Sequence, residues 1–377
     1  MKKTGMTTLE VRTYNKSRVY EQIYEKRSIS KQEIASELQM SLTTVTQNLK
    51  LLETEGMITI TGQNQSTGGR KANAYSVVST AAIAIGIDIL KDRLHFVAID
   101  LYGEIIQKKT LIVRFFAEEG YYKMLGESTQ RFIAALPEEL QNKILGVGIA
   151  VQGLVSADGQ YMVDGRILNC EGMTFSDLTA YIPYPCHLEH DSTATAATEL
   201  WQDPSLQDAI IFILNHNIGG AIVINGKIHY GLNLRSGVLE HLQLKEDGPL
   251  CYCGKRGCLE TYCSLDRLEQ AAGTDTENFF FRLRNGDRQS KEIWLTYMDN
   301  LSLAIRNMMV ILDCDIVLSG YLAPFLNEED VELLRELVRQ KLPYPLGHTK
   351  FKLNHYGEFA PATGVSLVYI KNFLKSI

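Results

Sequence analysis

Apolar positions between residues 15 and 56 fall at helical spacing, in three short blocks. In NKSRVYEQIYEK, Val19 and Ile23 stand one turn apart with Tyr20 and Tyr24 beside them. SISKQEIASEL opens with Ser30 and carries Glu33 three residues on, a capping box in which the hydroxyl and the carboxylate satisfy each other's backbone N–H groups. Ile34 and Leu38 then supply the buried face. The third block, SLTTVTQNLKLLETEG, starts at the N-cap candidate Ser41, buries Val45, Leu49 and Leu52 at i, i+4, i+7, and ends at Gly56, a residue suited to a left-handed C′ position. MITITG then alternates as a strand, QNQSTGGRKANA is a Gly-rich polar tip, and YSVV returns. Two short helices, a tight turn, a third helix and a β-ribbon over residues 15–78 predict a winged helix-turn-helix.

The outward face of the third helix carries Ser41, Thr43, Thr44, Thr46, Gln47 and Lys50. Short hydroxyl and amide side chains with one cation can meet base edges and phosphates without blocking entry to a groove. Arg70 and Lys71 at the wing tip are placed to reach the minor groove, whose potential draws Arg where A·T tracts narrow it. A small helical protein-interaction module with a polar surface is the competing reading. Helix spacing, capping, wing and local charge together favour DNA.

From Ala82 the period changes. AIAIGIDI, RLHFVAIDLYG and EIIQKKTLIV are β-rich runs joined by short turns, and GYYKMLGESTQRFIAALPEEL has helical spacing. ILGVGIAVQGLV is a buried strand and a turn; the alternation recurs from AIIFILNHNIGGAIVINGKIHYG to CDIVLSGYL. Strands that run into glycine turns in two successive halves predict an α/β body of two lobes with a ligand cleft between them. The expected division is a head over 1–78, a first lobe over 82–195 completed by a C-terminal helix at 362–377, and a second lobe over 196–361.

The chain has 377 residues and a formal net charge of −6, which hides an asymmetry. Residues 1–78 hold 11 Lys+Arg against 7 Asp+Glu, or +4, and the remainder 27 against 37, or −10. The head, not the body, is suited to a polyanion. No apolar run approaches the ~20 residues that a membrane helix needs, and no apolar core follows the two N-terminal lysines as in a signal peptide. The expected compartment is the cytoplasm, where thiols stay reduced and clustered cysteines read as metal ligands or redox groups.

The order of winged head, two α/β lobes and a His-x9-Cys-x-Cys-x4-Cys cluster resembles the ROK family (repressor, open reading frame, kinase). CYCGKRGCLE, Cys251 to Glu260, is similar to the family's Cys-x-Cys-Gly-x-x-Gly-Cys-x-Glu signature, and GRK at the wing resembles its repressor branch. The resemblance implies an actin-like, sugar-kinase-type body, a carbohydrate-related ligand and a homodimer or dimer of dimers on double-stranded operator DNA.

His241, Cys251, Cys253 and Cys258 supply one imidazole and three sulfurs, a complete tetrahedral set for structural Zn2+ with no position left for a catalytic water. A redox pair or merely buried thiols are the alternatives, but redox motifs generally use Cys-x-x-Cys, and the spacing here is Cys-x-Cys. Cys170, Cys186, Cys263 and Cys314 are dispersed and read as packing residues.

Compared with a family kinase, the nucleotide side is degraded. The loop resembling Asp-x-Gly-Gly-Thr reads Asp88-Ile89-Leu90-Lys91-Asp92, with bulk where a phosphate needs bare backbone N–H groups. The second loop reads Asn215-His216-Asn217-Ile218-Gly219-Gly220-Ala221, and the third turn Ser319-Gly320-Tyr321. The expectation is no productive ATP binding and no kinase activity. On the sugar side the resemblance assigns ligand contacts to Asn169, Asp191 (the family's catalytic-base position), Glu240, His241 and Glu260. His190 replaces an Asn, Gln152 a frequent Pro, and Val238 the Glu that usually grips sugar; the acid two places later, Glu240, either substitutes for it or points elsewhere. The leading reading is a sugar-responsive repressor; an active kinase with an appended head and a ligand-independent repressor are its rivals.

Overall fold

The structure is a computed structural model that describes residues 8–63, 73–354 and 356–377. The head consists of α1 (Thr8–Lys26), α2 (Lys31–Glu37), α3 (Leu42–Thr54) and an antiparallel ribbon of β1 (Ile58–Gln63) and β2 (Asn73–Val77). The capping box forms as expected: Glu33 N donates to Ser30 Oγ at 3.3 Å and Ser30 N to Glu33 Oε2 at 2.8 Å. Ser41 caps α3, and Gly56 follows it with φ +70°. A two-residue strand, Ile29–Ser30, pairs with the outer edge of β2; an element that short leaves no alternation to read in a sequence.

Two five-stranded sheets repeat one plan. The first has the order β7-β6-β3-β4-β5, from β3 (Ile83–Ile89), β4 (Arg93–Ile99), β5 (Ile105–Ile112), β6 (Ile144–Val151) and β7 (Cys186–His190). The second has the order β10-β9-β8-β11-β12, from β8 (Ala209–Ile213), β9 (Gly219–Ile224), β10 (Lys227–Ile228), β11 (Asp315–Ser319) and β12 (Phe351–Leu353). In each, a central strand runs parallel to two strands on one side and antiparallel to a meander on the other. In open sheets of this kind, ligands sit beyond the carboxyl ends of the parallel strands. Here those ends carry Asp88, Gln152 and Asp191 in one lobe and Asn215 and Tyr321 in the other.

Helix α4 (Glu119–Ala134) covers the first sheet; α6 (Arg288–Met309) and α7 (Glu328–Lys341) build the second lobe's core around Trp294, Leu301 and Ile316. Helix α5 (Asp191–Gln202) runs without interruption past residue 195, so the expected change of lobe at 195/196 falls inside a helix. The Ala/Thr-rich sequence there has no breaker. Helix α8 (Ala360–Ser376) starts two residues before the expected 362 and packs between the first sheet and α5. The approach is close: a Cβ on Gly364 would lie 1.7 Å from the Ala194 carbonyl oxygen.

Head and body share one core. Val19, Ile23, Val45 and Leu52 belong to the same buried cluster as Leu101, Leu367 and Ile370. Burying each such side chain contributes about 1.5–3 kcal/mol, so the head is seated rather than tethered.

Candidate functional site

On α3, Thr43, Thr46, Gln47 and Lys50 are exposed and Thr44 is half-buried. Two hydroxyls are committed to the cap, since Ser41 Oγ accepts from Thr44 N at 3.1 Å and lies 2.8 Å from Thr44 Oγ1. Thr46 Oγ1 donates back to Leu42 O at 2.6 Å. Leu42, half-exposed on the same first turn, was not anticipated; an apolar side chain there suits a thymine methyl group. Arg70 and Lys71 lie outside the described residues.

In the second lobe, His241, Cys251, Cys253 and Cys258 converge, their four ligand atoms within 4.8 Å of one another. Cys253 Sγ lies 3.8 Å from Cys258 Sγ, and Cys251 Sγ 3.7 Å from His241 Nδ1. A tetrahedron with Zn–S bonds of about 2.3 Å has S···S edges of about 3.8 Å, so the donor set fits zinc in type and spacing. The loop closes through Gly254 N to Cys251 O at 2.9 Å and Cys251 N to Lys255 O at 2.8 Å. Gly257, at φ +71°, passes so near Lys245 that a Cβ would sit 1.6 Å from its carbonyl oxygen. Of the remaining cysteines, Cys170, Cys263 and Cys314 are buried and Cys186 is half-buried.

Between the lobes lies a cavity of about 1010 Å³, lined by Asp88, Lys91, Arg93 and His95 from the first lobe and Asn215, His216 and Tyr321 from the second. It continues past Gln152, Arg166, Asn217 and Tyr252 into a narrow recess of about 60 Å³. Asp164, His190, Asp191, Val238, Glu240 and His241 line the recess. With Nδ1 turned to the thiols, His241 has Nε2 left for the recess or for a partner behind it.

The recess is acidic and dry enough to perturb its carboxyls. Burial pushes Glu240 up to about 8, with Asp191, Glu260 and Asp164 adding to the rise. Burial also raises Asp191, which His190 and the Ser192 N–H and hydroxyl pull back; His190 Nε2 stands 3.1 Å from Asp191 Oδ1. At the larger chamber's floor, Asp88 is 2% exposed, its Oδ1 has no partner among the described residues, and burial with the nearby Asp191 and Glu358 drives its pKa well up. Arg166 pairs with Asp164 on the same loop.

Two expected ligand residues are elsewhere. Asn169 is exposed at φ +59° and is not among the residues lining the cleft; Asp164 and Arg166 of that loop are. Glu260 is spent on the loop after β8: it accepts from the side-chain amide Asn217 Nδ2 and from the backbone Ile218 N, both at 2.8 Å. The polar pair in VDGR was the available signal for Asp164 and Arg166, a short polar run between buried Met162 and Leu168.

Fold and site together define a winged DNA-binding head on a two-lobed body of the sugar-kinase type. Residues 84–372 match the ROK family, and residues 12–59 match the family described as winged helix-turn-helix DNA-binding. The chain belongs to the ROK family. It is 26% identical over 394 aligned positions to the xylose repressor of Bacillus subtilis, covering 97% of each chain. It is 26% identical over 265 positions to the DNA-binding transcriptional dual regulator NagC of Escherichia coli, covering 69% of this chain and 64% of that one. Among solved structures it resembles a ROK family transcriptional regulator homologous to the E. coli MLC protein, with TM-score 0.73, 18% identity and 97% of both chains covered. It also resembles a ROK family glucokinase from Streptomyces griseus bound to glucose and AMPPNP, with TM-score 0.68, 18% identity, 76% of this chain and 99% of that one. No helix among the described residues is long and apolar enough to cross a membrane.

Proposed function

We propose that the chain is a sugar-responsive, DNA-binding transcriptional repressor without kinase activity. The observation that carries this reading is the contrast inside the cleft. The sugar-side recess keeps Asp191 and His241, while the nucleotide-side loops carry Leu90, Lys91 and Asn215 to Asn217 in place of phosphate-cradling glycines. The relatives named as repressors support it.

In this reading residues 1–78 grip operator DNA. The body works as two lobes, with the expected borders at 195/196 and 361/362 falling inside α5 and α8. A homodimer presents two heads to half-sites spaced by helical turns, in the cytoplasm. Thr43, Gln47 and Lys50, with Ser41, Thr44 and Thr46 at the helix start, face the major groove, and Arg70 and Lys71 the wing's groove. Asp191 accepts a hydrogen bond from a ligand hydroxyl, His241 and Glu240 complete the recess, and Val238 leaves one wall apolar. His241, Cys251, Cys253 and Cys258 would hold structural Zn2+, which supplies a rigid cross-link that orients the imidazole.

The test is a duplex selected by the full chain from a random-sequence pool, titrated with and without a sugar panel. The expected result is sequence-specific binding that one sugar weakens. A second reading, an active kinase, draws on the size of the cleft and on Asp191 at its narrow end. ATP turnover on a sugar panel, abolished in Asp191→Asn, would establish it against the first.

A further inference from the structure

A repressor that answers to a ligand needs a part that both sites move. We propose that α5 is that part, and that Trp201 and Tyr102 are positioning residues which pass its movement to the head. The inference rests on the reading above.

Helix α5 begins at the cleft and ends near the head. At its start, Asp191 and Ser192 line the recess. At its last turn, Trp201 Nε1 donates to Tyr102 O at 2.7 Å. The rise along the helix from Asp191 to Trp201 is about 15 Å. Tyr102 lies on the tight turn between β4 and β5, and the head holds that turn from the other side. Tyr24 of α1 donates its hydroxyl to Leu101 O at 2.7 Å and stacks on the Tyr102 ring, centroids 4.6 Å apart. Arg27, just past α1, places its guanidinium 3.4 Å from the same ring centroid. The turn has no slack against the helix either: a Cβ on Gly103 would lie 2.6 Å from Trp201 Nε1.

The same helix is bound to the second lobe. Ser319 Oγ at the end of β11 donates to Glu199 Oε1 at 2.6 Å, within a buried pair. At the recess, Gly219 of β9 comes so close to Ser192 that a Cβ would meet its Oγ at 2.5 Å. Lobe closure on a ligand therefore bears on α5 directly. Nor can α5 slide over its support, because Thr198 Oγ1 donates to Ala360 O at 2.7 Å and the backbones of α5 and α8 touch at Gly364. The two helices move together, and α8 carries Leu367 and Ile370 of the core shared with the head. Both connections from cleft to head thus run through one rigid unit. Side-chain proximity alone would be a weak warrant; the argument is that one element is fixed to ligand recess, second lobe and head clamp at once.

Coupling between two sites is reciprocal, so each ligand must change the linkage. The chain has two tryptophans; Trp294 is buried in the second lobe and serves as an internal control. With 5-fluorotryptophan in the full chain, the Trp201 19F resonance, assigned by its loss in Trp201→Phe, should shift when the selected duplex binds. Trp294 should not move. For D-xylose or N-acetylglucosamine, whichever calorimetry shows to bind, duplex affinity should fall roughly tenfold in the parent chain, within the usual range of allosteric coupling. It should fall less than about threefold in Trp201→Phe, and likewise in Tyr24→Phe, which removes only a hydroxyl. Duplex binding with an unmoved Trp201 resonance overturns the proposal even if neither sugar binds, as does a full sugar response in both variants; repression itself would stand. Failure to select any duplex would bring down the DNA-binding reading, and this proposal with it.

Discussion

The two halves of the cleft are built on opposite principles. In the recess, polar side chains are left facing the cavity: Asp191, Glu240 and His241 line it, and burial perturbs their protonation. In the larger chamber, the side chains of the 215–217 loop are tied to neighbouring groups. Asn215 Oδ1 accepts from Tyr321 N at 2.6 Å, His216 Nδ1 meets Asp266 Oδ1 at 2.7 Å, and Asn217 is held by Glu260. A phosphate needs backbone N–H groups with nothing in front of them. At the 215–217 loop these side chains are engaged with partners, while Lys91 and Arg93 still line the chamber. In the proposed reading, the family fold is kept for its recess rather than for nucleotide chemistry.

The largest effect should come from breaking the wall that supports the recess. Cys253→Ser removes one thiolate from a closed four-donor set. Structural zinc sites carry folding free energy outright, on the order of 10 kcal/mol in isolated zinc fingers. The parent chain should hold about one Zn per chain by elemental analysis. The variant should hold far less, and its second lobe should melt well below that of the parent chain. Unchanged zinc content after dialysis would mean that Cys253 is not a ligand.

Glu260→Gln comes next. The carboxylate accepts two hydrogen bonds with both oxygens, and an amide can accept only one of them. Leaving a buried donor unpaired costs about 1–3 kcal/mol. The expected loss in chemical denaturation is of that order, together with weaker binding of whatever occupies the recess. A variant as stable as its parent, with lost ligand binding only, would restore Glu260 to the ligand shell from which the geometry removes it.

The head and the His/Cys cluster were legible in the sequence because their signals are local. Ser30 and Glu33 lie three residues apart, Cys251 and Cys253 two apart, and the apolar stripe of α3 is one helix long. What was not legible depended on the path of the backbone. Glu260 follows the cysteines by two residues, yet its direction is set by where the loop at Asn217 passes, 43 residues away in sequence. Asn169 falls on the loop that carries Asp164 and Arg166, but it is exposed and is absent from the lining of the cleft. The head's seat on the body was equally invisible, since Tyr24 and Leu101 are 77 residues apart and neither carries a motif.

Asp88 sharpens the comparison from the other side. It is buried and its Oδ1 lacks a partner among the described residues, with Asp191 and Glu358 nearby, so its folded-state pKa lies well above the usual carboxylate value. For an acid raised in this way, the folded state retains a proton that the unfolded state has lost. Stability therefore falls as pH rises above about 4, by at most about 1.4 kcal/mol per pH unit, until the folded-state pKa is passed. Asp88→Asn removes that dependence. Its stability relative to the parent should grow between pH 5 and pH 8 in urea denaturation. Parallel profiles would show that a cation or donor already neutralises Asp88.

The smallest effect belongs to the His216–Asp266 pair at the loop after β8. Asp266 raises the pKa of His216 by hydrogen bond first and by charge second, against the opposing pull of burial, with Glu269 adding and Arg93 subtracting. Because the folded-state value is raised, the stabilisation is complete below the unfolded pKa near 6.5 and disappears as pH rises through the folded one. Asp266 is well exposed, so solvent screens the pair and the gain is about 0.2–1 kcal/mol. Asp266→Asn should lower stability by that amount at pH 6 and leave it unchanged at pH 9, and high salt should shrink the difference at pH 6. If Mg-ATP instead stabilised Asp266→Asn but not the parent chain, the side chains now tied across the loop would be a latch over a working nucleotide site, and the two halves of the cleft would not differ in kind.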